Sequence, residues 1–272
     1  MKRIRIATCR SLPEVDVDEA PLAEAFAKAG IDAPLVAWDD PDADWSSPIP
    51  TLLRSTWNYA LHVDAFLAWV DRVAAVAPLW NPPDIVRANV YKRYLLDLAA
   101  RGVPVIPTTL IEPGGELPAF STRIVIKPEV GAGSLNARVF APSERAAALD
   151  HLRSIAGAAL VQPYVASVED YGERSMIYLD GELSHAIRKS PRFSGDSESI
   201  TGPFPIADAE RDVALAALAP YRDRIQYGRV DLARDEAGVP MVMELELVEP
   251  SLFLARRPGA ADRFVAQIGT LL

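Results

Sequence analysis

Apolar positions in the first part of the chain repeat with the spacings of short strands and of helices. Apolar runs predict strands at 4–9, 35–38 and 50–55, and helical spacing predicts helices at 19–28 and across 63–77. Gly30 follows the first helix as a stop signal. Strands alternating with helices predict a small α/β lobe, and we place its end near residue 87.

The pattern further along predicts two more lobes that mix strands and helices. Strands at 123–127 and 137–140 should form a hairpin around a glycine-containing turn, and a helix capped by Ser143 should follow. Other strands are predicted at 159–162, 175–179, 184–188, 228–233 and 241–247, with helices at 88–101, 208–219 and 262–271. We therefore predict an α/β protein with α+β lobes, divided as 1–87, 88–161 and 162–272, and a loop at 190–205.

Charge and composition narrow the function classes. Half of the 272 residues are apolar, and 28 basic residues against 37 acidic ones give a net charge of −9. This charge argues against nucleic acid or an anionic membrane as the main partner. The single cysteine, Cys9, excludes an intramolecular disulfide and a thiolate metal site. The apolar run at 4–9 is too short for a signal peptide or a membrane span, so we expect a cytoplasmic location.

Three carboxylates are predicted to converge near the C-terminus. Strand alternation places Glu244 and Glu246 on one face, and a turn near Ala237 and Gly238 would bring Asp231 opposite Glu244 at about 5 Å. Their repulsion calls for a cation, and hard oxygen ligands suit magnesium better than zinc. A solvated strand face with acidic residues would give the same pattern.

Two lysines are candidates for binding phosphate. Lys127 ends an apolar strand directly before a turn that contains Gly131, Gly133 and Ser134, where glycines let backbone amides approach a phosphate closely. Lys92 lies on a predicted helix. A hairpin without a ligand would need the same glycines, and a helical lysine is usually solvated. The order of these motifs along the chain carries more information than each motif alone.

In sequence, the motifs resemble the ATP-grasp superfamily in the form of bacterial glutathione synthetase. They are Asn89-x-x-Lys92, Val125-Ile126-Lys127-Pro128, Gly131-x-Gly133-Ser134, Gln162-Pro163-Tyr164-Val165, Gly172-Glu173-Arg174-Ser175, and Asp231 with Glu244-x-Glu246. Arg54 to Tyr59, Asn81-Pro82 and the segment from Glu244 to Phe253 resemble a narrower subgroup that includes the cyclo-ligase of D-cycloserine biosynthesis. The resemblance implies an ATP-grasp fold, with an N-terminal pre-ATP-grasp lobe and two lobes that enclose ATP.

The resemblance also implies roles for individual residues. Lys92 and Lys127 would contact ATP phosphates, and the hairpin with Gly131, Gly133 and Ser134 would close as a lid. Gln162, Tyr164 and Val165 would hold the adenine, Glu173 the ribose, and Asp231, Glu244 and Glu246 magnesium. Either Arg188 or Lys189 takes the place of a phosphate-stabilising arginine. Arg54 would bind a substrate carboxylate, or instead pair with an acidic side chain.

These roles imply a Mg²⁺- and ATP-dependent carboxylate–amine ligase that acts on a small amino-acid-like substrate through an acyl phosphate. Such transfer depends on positioning and charge neutralisation, and it requires no nucleophilic serine, cysteine or histidine. A nucleotide-binding protein without turnover and a phosphotransferase remain as alternatives. The resemblance also suggests a homo-oligomer.

Overall fold

The computed structural model describes residues 1–131, 133, 135–190 and 199–272, and these residues form three β-sheets with helices. The strands are β1 (Arg5–Thr8), β2 (Leu35–Ala37), β3 (Thr51–Leu53), β4 (Leu79–Trp80), β5 (Thr109–Ile111), β6 (Ile124–Pro128), β7 (Arg138–Phe140), β8 (Ala159–Pro163), β9 (Glu173–Leu179), β10 (Glu182–Lys189), β11 (Ile200–Phe204), β12 (Tyr227–Arg234) and β13 (Pro240–Glu246). The helices are α1 (Glu19–Lys28), α2 (Val63–Ala74), α3 (Pro83–Asn89), α4 (Tyr94–Ala100), α5 (Arg145–Ser154), α6 (Ser167–Asp170), α7 (Asp208–Leu218) and α8 (Ala260–Leu271).

The N-terminal sheet is parallel, with the order β2-β1-β3-β4. The predicted strands and helices of this lobe are confirmed, whereas the short strand β4 was not predicted. One face of α2 carries the apolar residues that cover the sheet, namely Phe66, Leu67, Trp69, Val70 and Val73, which are all buried. An apolar stripe with this spacing makes a helix pack on its own sheet.

The middle sheet has the order β5-β8-β6-β7 and is antiparallel. The predicted hairpin is confirmed, because β6 pairs with β7 in register from Ile124 opposite Phe140. The predicted cap of the next helix is wrong. Glu144 caps this segment instead of Ser143, since its carboxylate accepts the backbone N–H of Ala141 at 2.7 Å.

The C-terminal sheet has the order β11-β10-β9-β12-β13, and each pair of neighbours is antiparallel. Asp231 lies opposite Glu244, as the position of the turn predicted. Part of the predicted loop at 190–205 is the edge strand β11, and residues 191–198 of it lie outside the described residues.

The predicted helix at 88–101 is wrong, because the segment forms two helices, α3 and α4, with a break between them. Tertiary hydrogen bonds explain the break. The Asn89 side chain donates to the carbonyl of Leu245 at 2.9 Å, and the backbone N–H of Lys92 donates to the carbonyl of Glu129 at 3.0 Å. The second bond takes the Lys92 N–H, which a continuous helix would direct to its own carbonyl four residues earlier, and it fixes Lys92 beside the middle sheet.

The N-terminal and C-terminal sheets share one apolar core. Ile6 and Phe26 pack in the same cluster as Ile177, Tyr227 and Phe264. The middle sheet has a smaller core between its strands and α5, while Leu110 of β5 and Leu160 of β8 pack with the apolar residues of the C-terminal sheet. The predicted limits at residues 87 and 161 fall inside α3 and β8. No helix in the described ranges is long and apolar enough to cross a membrane.

Candidate active site

The three predicted carboxylates meet on the C-terminal sheet. Oxygen atoms of Asp231, Glu244 and Glu246 all lie within 4.8 Å of one another. The Asp231 side chain is fully buried, while the side chains of Glu244 and Glu246 keep 22% and 27% exposure. β12 thus holds the Asp231 carboxylate in the interior, whereas β13 leaves the carboxylates of Glu244 and Glu246 partly exposed. Three hard oxygen donors at this spacing fit a magnesium ion.

Arg229 is the member of this site that sequence analysis missed. Its guanidinium donates to Asp231 Oδ1 at 2.9 Å, to Asp231 Oδ2 at 2.9 Å and to Glu246 Oε1 at 2.5 Å. A signal was available, because Arg229 lies two residues before Asp231 and therefore on the same face of β12. A buried arginine in an apolar strand needs anionic partners, and this spacing supplies one.

The structure distinguishes the neighbours Arg188 and Lys189. Lys189 is buried and points to the carboxylates, with Nζ at 2.9 Å from Asp231 Oδ2 and in contact with Glu173. Arg188 is more exposed, and its Nη2 donates to the backbone carbonyl of Asp170. Since successive residues of a strand face opposite sides, only Lys189 of this pair joins the cluster.

Lys127 on β6 and Lys92 in the break between α3 and α4 both attract Glu244 of this cluster. Lys92 Nζ lies 2.5 Å from Glu244 Oε1 and donates to the carbonyl of Gly131 at 2.8 Å. Lys127 is half-buried on β6, where it is subject to attraction from Glu244. Lys92 therefore links the carboxylate cluster to the first residue of the predicted lid hairpin.

The hairpin itself is described only in part. Gly133 has φ of +58°, a conformation that glycine adopts at little cost. Ser134, the predicted third member of the phosphate-binding turn, lies outside the described residues.

Electrostatics separate the three carboxylates. Burial alone would raise the pKa of Asp231, but the charges of Arg229 and Lys189 bring it well below the usual range. Burial is likewise overcome at Glu244, where Lys92 and Lys127 lower the pKa to about 2. For Glu246, burial and the repulsion from Glu244 outweigh Arg229, so its pKa is raised. The surroundings therefore favour the charged form of Asp231 and Glu244 more than that of Glu246.

Of the predicted hinge residues, Gln162 lies near the end of β8, and Tyr164 and Val165 follow that strand directly. Gln162 is buried and donates from Nε2 to Thr108 Oγ1 at 2.8 Å. The backbone N–H of Tyr164 donates to the carbonyl of Arg123 at 2.9 Å. The side chains of Tyr164 and Val165 pack on an apolar cluster that includes Ile106, Met241 and Met243. An apolar surface of this kind suits a nucleotide base.

Glu173 lies beside the carboxylate cluster. It contacts Lys189, and its pKa is raised to about 8 because burial and the nearby Asp231 outweigh the attraction of Lys189. Ribose binding by Glu173 therefore stays a prediction.

Arg54 is enclosed rather than placed at a cleft surface. Its side chain keeps 1% exposure, and Nη2 lies 3.2 Å from Asp18 Oδ2 and 2.8 Å from the carbonyl of Pro250. Its Nε and Nη1 have no hydrogen-bond partner within the described part of the chain. Arg54 thus pairs with a buried acid, and its contact with a substrate carboxylate stays a prediction.

Comparison with known proteins agrees with this geometry. A family model described as the N-terminal domain of D-cycloserine synthetase DcsG matches residues 4–81. The cycloserine biosynthesis protein DcsG of Streptomyces lavendulae is 37% identical over 287 aligned residues, which cover 96% of each chain. The crystal structure of D-cycloserine synthetase DcsG is similar at a TM-score of 0.88 with 34% identity over 99% of each chain.

A more distant structure has the same fold. The D-alanine–D-alanine ligase of Bacillus anthracis, complexed with ATP, has a TM-score of 0.70 at 16% identity, covering 99% of this chain and 97% of that one. The predicted ATP-grasp fold is confirmed, and ATP binding fits the cations and the apolar surface described above. The chain therefore belongs to the DcsG family of ATP-grasp enzymes, ADP-forming ligases that join a carboxylate to a nitrogen.

Proposed function

We propose that the chain is a Mg²⁺- and ATP-dependent ligase that closes a ring within a small amino-acid-like substrate, as the name of its cycloserine-forming relative suggests. The observation that carries the proposal is one cluster in which four cations surround three carboxylates. The cations are Lys92, Lys127, Lys189 and Arg229, and the carboxylates are Asp231, Glu244 and Glu246.

The four cations would bind the phosphate groups of ATP and neutralise their charge during phosphoryl transfer. A carboxylate is a poor acylating agent, because expelling oxide is unfavourable, and phosphorylation supplies a better leaving group. Lys127 of the middle sheet and Lys92 beside it would bind phosphate oxygens on one side. Lys189 and Arg229 of the C-terminal sheet would bind them on the other side. Cations already fixed by carboxylates need little reorganisation during transfer. Asp231, Glu244 and Glu246 would hold magnesium, which supplies further neutralisation of phosphate charge.

Ring closure distinguishes this proposal from peptide-type ligation. The nitrogen nucleophile then belongs to the molecule that carries the activated carboxylate, so no second amine is needed. Holding both groups of one molecule close together also lowers the entropic barrier to bond formation.

Release of ADP and phosphate would test the proposal. We would incubate the protein with magnesium and ATP across amino acids and their ureido and aminooxy derivatives, with Glu244→Gln as the inactive variant. Glu236→Gln is the matched control, because Glu236 is exposed in the turn between β12 and β13. Ring closure would be supported if ADP and phosphate are released with a single substrate and a new C–N bond forms in that substrate. This release should be lost in Glu244→Gln and kept in Glu236→Gln.

Other products would refute the proposal in distinct ways. A phosphorylated substrate without a C–N bond would indicate a phosphotransferase, and ATP binding without ADP would indicate a binding protein. A requirement for a second amine would indicate ligation between two molecules. The cytoplasmic location and the homo-oligomeric state stay predictions.

A further inference from the structure

Glu249 lies between the carboxylate cluster and the N-terminal lobe. It follows β13 by three residues, and its exposed fraction is 8%. Two aromatic residues of the N-terminal lobe hold it: Trp57 Nε1 donates to the Glu249 carbonyl at 3.0 Å, and the Tyr59 hydroxyl hydrogen-bonds to the Glu249 carboxylate. Tyr59 is itself fixed by stacking on Phe66 at 4.9 Å between ring centroids. The Glu249 carboxylate is therefore held in a defined position.

The cations nearby are engaged with other carboxylates. Lys92 pairs with Glu244, Lys189 with Asp231, and Arg229 with Asp231 and Glu246. Among the residues that the structure describes, Glu249 forms no ion pair within 4 Å.

A buried carboxylate without a cation is costly. Burial and repulsion from Glu246 raise the pKa of Glu249 to about 8, against the weaker attraction of Lys92 and the hydrogen bond from Tyr59. A positive charge beside a carboxyl group favours its charged form, and the ammonium group of a ligand would supply that charge to Glu249.

We propose that Glu249 binds the α-ammonium group of the substrate and so makes the enzyme select amino acids over the corresponding hydroxy acids. The inference rests on the proposed function, in which the substrate is amino-acid-like. Glu249 follows β13, which carries Glu244 and Glu246, and its carboxyl group is attracted by Lys92, one of the proposed phosphate-binding cations. A substrate held by its ammonium at Glu249 would thus be anchored beside the groups that activate its carboxylate.

Discrimination between an amino acid and its α-hydroxy analogue tests the role of Glu249. The wild-type protein should use the best amino-acid substrate with a kcat/KM that exceeds that of its α-hydroxy analogue by about 10- to 100-fold, since a charge-assisted hydrogen bond is lost. In Glu249→Gln, the KM for the amino acid should rise by about the same factor, while the KM for ATP stays within about twofold. The preference for the amino acid should then disappear. Glu236→Gln should keep it.

The other possible results contradict either the role of Glu249 or the proposed function. If the wild-type protein uses both analogues equally, Glu249 does not select for the ammonium, and this result needs no variant. If Glu249→Gln keeps the full preference, the ammonium binds elsewhere. Should Glu249→Gln fail to fold, Glu249→Met, which also removes the carboxylate, replaces it, and an unchanged preference there overturns the inference as well. If the wild-type protein releases ADP with no amino-acid substrate, the proposed function itself fails and the inference with it.

Discussion

The adjacent residues Lys189 and Arg188 give a matched pair of substitutions within one strand. Lys189 Nζ lies 2.9 Å from Asp231 Oδ2 inside the carboxylate cluster, whereas the Arg188 side chain donates to the backbone carbonyl of Asp170 on the other face of β10. Replacing each with methionine removes one positive charge and keeps most of the apolar stem. Only the change at Lys189 should alter phosphoryl transfer.

The size of the effect follows from the position of the charge. A unit charge about 4 Å from a developing charge contributes about 4 kcal/mol at an effective dielectric constant of about 20. Loss of one fixed donor in an active site typically costs about 100- to 1,000-fold in kcat. We expect Lys189→Met to lower kcat for ADP release at least about 100-fold, or about 2.7 kcal/mol. Arg188→Met should stay within about twofold.

Folding has to be measured beside activity. Asp231 keeps its contacts with Arg229 in Lys189→Met, and Glu173, whose pKa is already raised to about 8, can take up a proton. Both variants should therefore fold, with thermal unfolding as the check. Equal losses of kcat in the two folded variants, or a normal kcat in Lys189→Met, would refute the assignment of Lys189 to the phosphate site.

Three further predictions concern stability. Burial lowers the pKa of His185 to about 4, so the neutral imidazole contributes its full stability above about pH 6.5, and this stability is lost as the pH falls toward 4. In urea unfolding, the free energy of unfolding should be about 2 kcal/mol lower at pH 5 than at pH 7, and the decrease should be smaller in His185→Gln. Asn81→Ala removes three buried hydrogen bonds to backbone groups and should cost about 2–4 kcal/mol in urea unfolding, while a cost below about 1 kcal/mol would contradict this. Gly172→Ala should lower the melting temperature more than Gly181→Ala, because both have φ near +80° but only at Gly172 would the Cβ lie 2.7 Å from the Lys189 carbonyl oxygen; equal shifts would contradict the steric argument.

Local sequence signals were sufficient to predict the site where residues close in sequence determine its geometry. The register of β12 and β13 followed from a turn of known chemistry, and strand alternation then placed Asp231, Glu244 and Glu246 together. The choice between Arg188 and Lys189 could not be made in the same way. It depends on which residue of β10 lies on the same face of the sheet as Asp231 of β12, and β9 separates these two strands.

Non-local contacts explain what the sequence did not reveal. The helix predicted at 88–101 has good helical residues, but hydrogen bonds from Asn89 to β13 and from Lys92 to Glu129 interrupt it. Arg54 looked like a residue at a strand end that could reach a cleft, yet Asp18, which is far from it in sequence, meets it in the interior. Propensity does not report such partners.

The shared core of the two outer sheets has a consequence for cooperativity. Tyr227 joins them with its hydroxyl, whose single hydrogen faces the carbonyl oxygens of Leu53 and Val248 at 2.9 and 2.7 Å. These sheets should open only in global unfolding, whereas β6 and β7, whose buried side chains lie in the smaller core of the middle sheet, can open locally. In hydrogen exchange, amides of β6 and β7 should therefore exchange sooner than those of β9 and β12, and ATP should slow the exchange of the former pair most.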